Sequence, residues 1–165
     1  MARARKRAAG RRRVARRPPP TRRTPPAPRQ RAAAPTDAER RLLALARQME
    51  GLGADALPSA VRALAVAYTP DGELPAAVQR AWLGSRADKT ATLALAWARE
   101  QLRLGLQGVI EATPPSARGA LALPAETLAW LLLAACESLA HEPPSAVADK
   151  VRLLHQLIGR PAPPA

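Results

Sequence analysis

Seven arginines crowd one short stretch of this chain. Arg11, Arg12, Arg13, Arg16, Arg17, Arg22 and Arg23 fall within Gly10–Pro26, beside five prolines and no acid. A guanidinium group is planar, always charged, and grips phosphate through paired N–H bonds. At this density it does electrostatic rather than covalent work. Each phosphate it neutralises releases counterions, so binding weakens steeply with salt. The expected partner is a polyanion, with DNA held non-specifically. No aromatic residue interleaves the arginines, which disfavours the stacking platforms used for RNA and single strands. Arginines entering a narrow minor groove would give preference, not a code.

Covalent and metal chemistry find little to work with. His141 and His155 are the only histidines and Cys136 the only cysteine. Cys136 sits mid-way along the most apolar stretch, where a thiol is a small core residue before it is a nucleophile. No His/Cys cluster has metal-ligand spacing. Gly51-Leu52-Gly53-Ala54 is a bare GxG without a preceding strand or third glycine, and reads as a loop. Glu137 and His141, four apart, read as ordinary helix surface. The expectation is a protein that is not an enzyme and takes no cofactor or metal.

The net charge of +13 is confined to one end. Residues 1–35 hold thirteen Lys and Arg and no acid, while the other thirteen basic residues face all thirteen Asp and Glu. Residues 36–165 are therefore neutral. The first 35 residues also hold seven of the 18 prolines. Such a segment buries too little apolar surface to offset its ordering entropy. It is expected to be a disordered basic arm reaching roughly 100 Å when extended. Prolines stand where a signal peptide needs an apolar core, and the serines of a transit peptide are missing before Ser59. Two other accounts of the arm stay open. It is an address label or tether to an anionic surface, or it is a shifted reading frame rich in GC-encoded residues. The lone cysteine fits a reducing, cytoplasmic setting. The longest apolar run, Leu128 to Cys136, is far short of the about 20 residues a bilayer span needs.

Past the arm the chain is expected to be helical. Thr36-Asp37-Ala38-Glu39 is a capping box, with the threonine hydroxyl accepting from the third amide and the glutamate reaching back. Leu42, Leu45 and Met49 continue it as an apolar stripe to Gly51. Pro58 opens a second helix through Tyr68, ended by Thr69-Pro70-Asp71-Gly72. Pro75 opens a third, closed by Gly84. The longest runs from about Asp88 to Thr113, burying Leu95, Ala98, Leu102, Leu106 and Val109, with Arg99, Arg103 and Gln107 on another face. A fifth starts at Pro124 and Glu126 and runs to about Ala140. Ser145 caps the sixth, which ends at Gly159. The predicted fold is an all-α bundle of about six helices over residues 36–160, with a disordered tail at 161–165.

Two helices ask for more cover than one small domain offers. Leu128 to Cys136 is apolar all round, so it must be buried all round. The sixth helix carries Val147, Val151, Leu154 and Ile158 as one stripe, with Leu153 and Leu157 on an adjoining face. A homodimer through Leu128, Leu132, Val147, Val151, Leu154 and Ile158 would cover both helices in a four-helix interface.

The order of six helices, with a long fourth and an apolar pair at the end, resembles the ligand-binding and dimerisation domain of TetR-like transcription regulators. Trp97 to Ile110 looks like that family's long pocket-lining helix. Leu123 to Leu139 looks like its penultimate helix, and Val147 to Arg160 like its last. The resemblance covers roughly residues 37–160 and is one of pattern. It implies a small apolar effector in a cavity lined by Tyr68, Trp97, Leu102 and Trp130, with Met49 nearby. Where the family carries a helix-turn-helix, this chain carries the arginine-proline arm, so sequence-specific DNA reading is in doubt.

Overall fold

Thr36 starts the first helix. In the computed structural model of the chain, which describes residues 34–52, 56–118 and 123–159, α1 spans Asp37–Glu50. The Glu39 amide donates to Thr36 Oγ1 at 3.3 Å. The box closes differently from expectation: the Glu39 carboxylate accepts from the Thr36 hydroxyl at 2.9 Å, not from the threonine's backbone amide. Asp37 and Glu39 add negative charge where the helix dipole is positive. The described residues belong to one unit, 33–165. Apart from Ala34 and Pro35, both exposed, the expected disordered arm lies outside the described residues, as does the expected tail at 161–165.

Five more helices follow among the described residues, which form an all-α bundle without strands. They are α2 (Ala56–Ala67), α3 (Glu73–Gly84), α4 (Lys89–Ala112), α5 (Ala125–Ser138) and α6 (Pro144–Leu157). Short 3₁₀ turns at Pro115–Ala117 and Leu139–His141 bracket α5. Asp88 caps α4, accepting from the Thr90 and Ala91 amides at 2.8 and 3.1 Å. Ser145 does not cap α6. The cap position is Pro143, with Pro144 as first helical residue and no side-chain cap bond. Proline needs no partner for a missing N–H and brings the helical φ with it, so it displaces the serine. At the far end Gly159 adopts φ 82°, a left-handed stop that a side chain would strain.

The long α4 is the spine. It packs most extensively on α1, then on α5. Leu95, Ala98, Leu102, Leu106, Val109 and Ile110 are all buried along its inner face, the 3-and-4 spacing of the sequence turned into a core stripe. Gly105 lets α1 come close, since a Cβ there would sit 3.2 Å from the Ala46 carbonyl oxygen. From α5 come Leu128, Ala129, Leu132, Leu133 and Cys136, all buried. Each large aliphatic side chain buried this way contributes about 1.5–3 kcal/mol.

The last two helices do not form the close pair expected of them. α6 runs nearest to α2, and α5 nearest to α4. The 3₁₀ turn diverts the chain after Ser138, and Leu139 is anchored in the core at 1% exposure. Nor is α5 covered on every side: Trp130 is 53% exposed and Leu131 only half-buried. No helix among the described residues is long and apolar enough to cross a membrane.

Candidate functional site

Of the four expected pocket residues, Tyr68 lines a cleft. Trp97 and Trp130 are 56% and 53% exposed, and Leu102 is sealed in the core with Met49. Both tryptophans lie on the outer sides of α4 and α5. Leucine and alanine close the interior without the indoles.

Tyr68 follows α2 immediately and stands at the floor of a cleft of about 510 Å³. Four parts of the chain build it. The Thr69–Gly72 turn brings Pro70, α3 brings Pro75, Val78, Gln79 and Trp82, α4 brings Arg99, and α5 with its 3₁₀ turn brings Glu137 and His141. The turn is held by the Gly72 amide donating to Thr69 O at 2.9 Å. One wall is flat and apolar, made of prolines, Val78 and the exposed Trp82 ring. The Arg86 guanidinium lies over that ring, 4.6 Å from its centroid.

The charged part of the lining is internally balanced. Arg99 donates from Nε and Nη2 to the two Glu137 carboxylate oxygens, each at 2.6 Å. This fork-to-fork pairing holds both groups in one plane and leaves the Arg99 Nη1 N–H groups outside the pair. The hydrogen bonds Arg99 donates to Glu137, together with the carboxylate's charge, hold the Arg99 guanidinium above its ordinary pKa. Burial, followed by the Glu137 charge, raises the Tyr68 hydroxyl well above the usual phenol range. Tyr68 is therefore a neutral donor at any physiological pH.

Cys136 is fully buried beside this wall. Burial pushes its thiol up to about 12, and the Glu137 charge adds to that. At neutral pH it is a protonated core side chain. Among the described residues no group of three His, Cys, Asp or Glu could hold a metal ion.

Four of the six expected dimer residues are buried in the chain's own core. Leu128, Leu132, Leu154 and Ile158 are 8% exposed or less, and Val147 and Val151 are half-buried. α6 turns its Leu154/Ile158 edge inward, which consumes those side chains in the chain's own core. The adjoining Leu153 and Leu157 remain outward, at 58% and 39%. They flank an open apolar groove of about 540 Å³ against Ala135 and Leu139. Its rim carries a Glu142–Lys150 pair at 3.6 Å. Along the outer side of α4, Leu93, Trp97 and Leu104 form a second uncovered stripe.

Arg11, Arg12, Arg13, Arg16, Arg17, Arg22 and Arg23 lie outside the described residues. Nothing in the sequence marked Gln79, Trp82, Arg99 and His141 as partners of Tyr68. Arg99 follows a core alanine and Glu137 a core cysteine, which identifies both as core-edge charges. Their pairing spans 38 residues and no local pattern announces it. Comparison of the chain with protein-family models, with curated proteins and with solved structures returns no match.

Proposed function

We propose that this chain is a regulator-like binding protein whose basic N-terminal stretch associates with DNA without sequence preference, while its helical body binds a small effector. The observation that carries the DNA half is the division of charge: thirteen basic residues and no acid in residues 1–35, against a neutral remainder. Seven of those arginines fall within Gly10–Pro26. The body's own cations support the same division. Arg41, Arg99, Arg103 and Arg152 each pair with a carboxylate of the body.

The body is proposed to act as a homodimer. Leu93, Trp97 and Leu104 present 44–59% of their surface along one side of α4, and a twin's α4 stripe would cover them. Dimerisation would place two basic stretches on one particle and raise their effective concentration on a duplex.

The test is retention of short duplexes of unrelated sequence by the full chain across a salt series. The logarithm of affinity is expected to fall with a slope as steep as about −6 when all seven arginines engage phosphates. Replacing Arg11, Arg12, Arg13, Arg16, Arg17, Arg22 and Arg23 by Gln should abolish retention at physiological salt and leave the helical circular-dichroism signal unchanged. Retention by that variant overturns the reading. Vesicles of acidic lipid run beside the duplexes separate it from a membrane-surface tether, which would hold the full chain on lipid and not on DNA.

A further inference from the structure

The cleft around Tyr68 contains a donor with nothing to donate to. Tyr68 is 4% exposed, yet its hydroxyl has no hydrogen-bond partner among the described residues. No deeply buried side-chain oxygen or nitrogen among them is left unpaired. The hydroxyl therefore does not end blind in the core, and Tyr68 is one of the residues that line the cleft.

We infer that this cleft binds a small aromatic carboxylate, with the ring on the Trp82 side and the carboxylate on the Tyr68–Arg99 side. The inference rests on the effector half of the proposed function and supplies its chemistry. Three features select that class. First, donor-bearing side chains gather here: Tyr68, Arg99 and Gln79 line the same cleft, while each Glu137 oxygen already accepts one bond from Arg99. A cationic ligand would meet Arg99, and a bare hydrocarbon would leave buried donors unpaired, at a cost in affinity.

Second, the facing wall suits a flat ring. Pro70, Pro75 and Val78 are rigid or branched, and Trp82 offers an exposed indole of which Arg86 covers one face. Aromatic pairs gain from offset or edge contacts beyond their buried area. Third, about 510 Å³ is in the range of sites that enclose small organic ligands and suits one or two fused rings. The α5–α6 groove, although slightly larger, has its charged groups, Glu142 and Lys150, paired with each other and no arginine in its lining.

The experiment titrates the full-length chain, without DNA, with 2-naphthoate, 2-naphthalenemethanol and 2-naphthylmethylamine. Binding is followed by the indole N–H signals of the three tryptophans in heteronuclear NMR, with Trp82 identified by Trp82→Phe. The naphthoate is expected to shift the Trp82 signal and to bind at least about tenfold more tightly than the alcohol, the amine weakest. Tyr68→Phe keeps the ring packing and should cost the naphthoate about tenfold while leaving the alcohol unchanged. Trp82→Ala, at an exposed position that spares the fold, should weaken the naphthoate and the alcohol alike. The inference is overturned by equal affinity for the three probes, by absence of binding at millimolar concentration, by a silent Tyr68→Phe, or by shifts at Trp97 or Trp130 alone. DNA retention is read separately, so the two halves of the functional reading fail independently.

Discussion

Arg99 and Glu137 meet across the α4–α5 seam as a two-point ion pair, Nε to Oε1 and Nη2 to Oε2 both at 2.6 Å. Arg99 is 39% and Glu137 28% exposed as side chains. The pair is therefore neither a loose surface contact nor a desolvated interior charge. It ties two helices together and forms one wall of the Tyr68 cleft.

Removing one partner should show both roles. Glu137→Gln leaves Arg99 without its counter-charge and is expected to cost about 1 kcal/mol, solvent screening having reduced the value of the pair. Urea unfolding of the variant beside the parent chain measures it. The same change frees the Arg99 fork, so naphthoate affinity should rise rather than fall. A fall would mean that the pair's geometry, not its spare donors, shapes the cleft.

The alkaline limb of stability should carry the signature of two buried acids. Cys136 ionises ordinarily near 9.0 but is pushed up to about 12 in the fold, and Tyr68 is raised above its ordinary 10.0. The folded chain therefore keeps protons that the unfolded chain releases. The contribution is whole below about pH 9 and is lost as pH rises, at about 1.4 kcal/mol per pH unit for one group. Tyr68 joins above about pH 10 and steepens the loss. Urea midpoints between about pH 8 and about pH 11 should fall accordingly, and Cys136→Ala should delay the onset by about one unit.

Two glycines in neighbouring turns should respond oppositely to alanine. A Cβ on Gly72 would lie 2.9 Å from the Thr69 carbonyl oxygen and 3.1 Å from that of Ala67, both backbone atoms. Gly72→Ala is expected to cost about 1–3 kcal/mol through that crowding. Gly84, the last residue of α3, has nothing within 4 Å of such a Cβ. Gly84→Ala should be neutral or stabilise by up to about 1 kcal/mol. Thermal unfolding of the two variants decides.

The oligomer reading separates exposed from buried leucine-rich surface. Light scattering on the full chain should give a dimer, and Trp97→Lys, at a position 56% exposed, should give a folded monomer. Leu132→Lys, at a position with 0% exposure, should unfold the chain instead, because an unpaired charge would be buried. A monomeric parent chain removes the dimer.

Much of the fold was legible because helical period and end chemistry are local. The spacing of Leu95, Ala98, Leu102, Leu106 and Val109 marked one face of α4, and that face is buried. Thr36, Asp88 and Gly159 marked ends, and the chain ends or starts helices there. Even so, Thr36 and Glu39 closed their box through the hydroxyl, and Pro143 and Pro144 displaced Ser145 at the start of α6.

The candidate site was mostly illegible. The family resemblance implied a cavity lined by Tyr68, Trp97, Leu102 and Trp130, but hydrophobicity does not say where the interior ends. Trp97 and Trp130 fell on the outer side of helices whose inner faces were already filled. On α6 two adjoining stripes were available, and packing against α2 turned Leu154 and Ile158 inward while leaving Leu153 and Leu157 outside.

By itself, then, the sequence determined the helices, their inner faces and the segregation of charge to residues 1–35, because propensity, period and net charge depend on residues close along the chain. Only the tertiary structure decided which charge meets which, and that Tyr68, Trp82, Arg99 and His141 share one cleft. Those outcomes depend on how whole helices settle against one another, a sum over distant contacts that no short stretch of sequence contains.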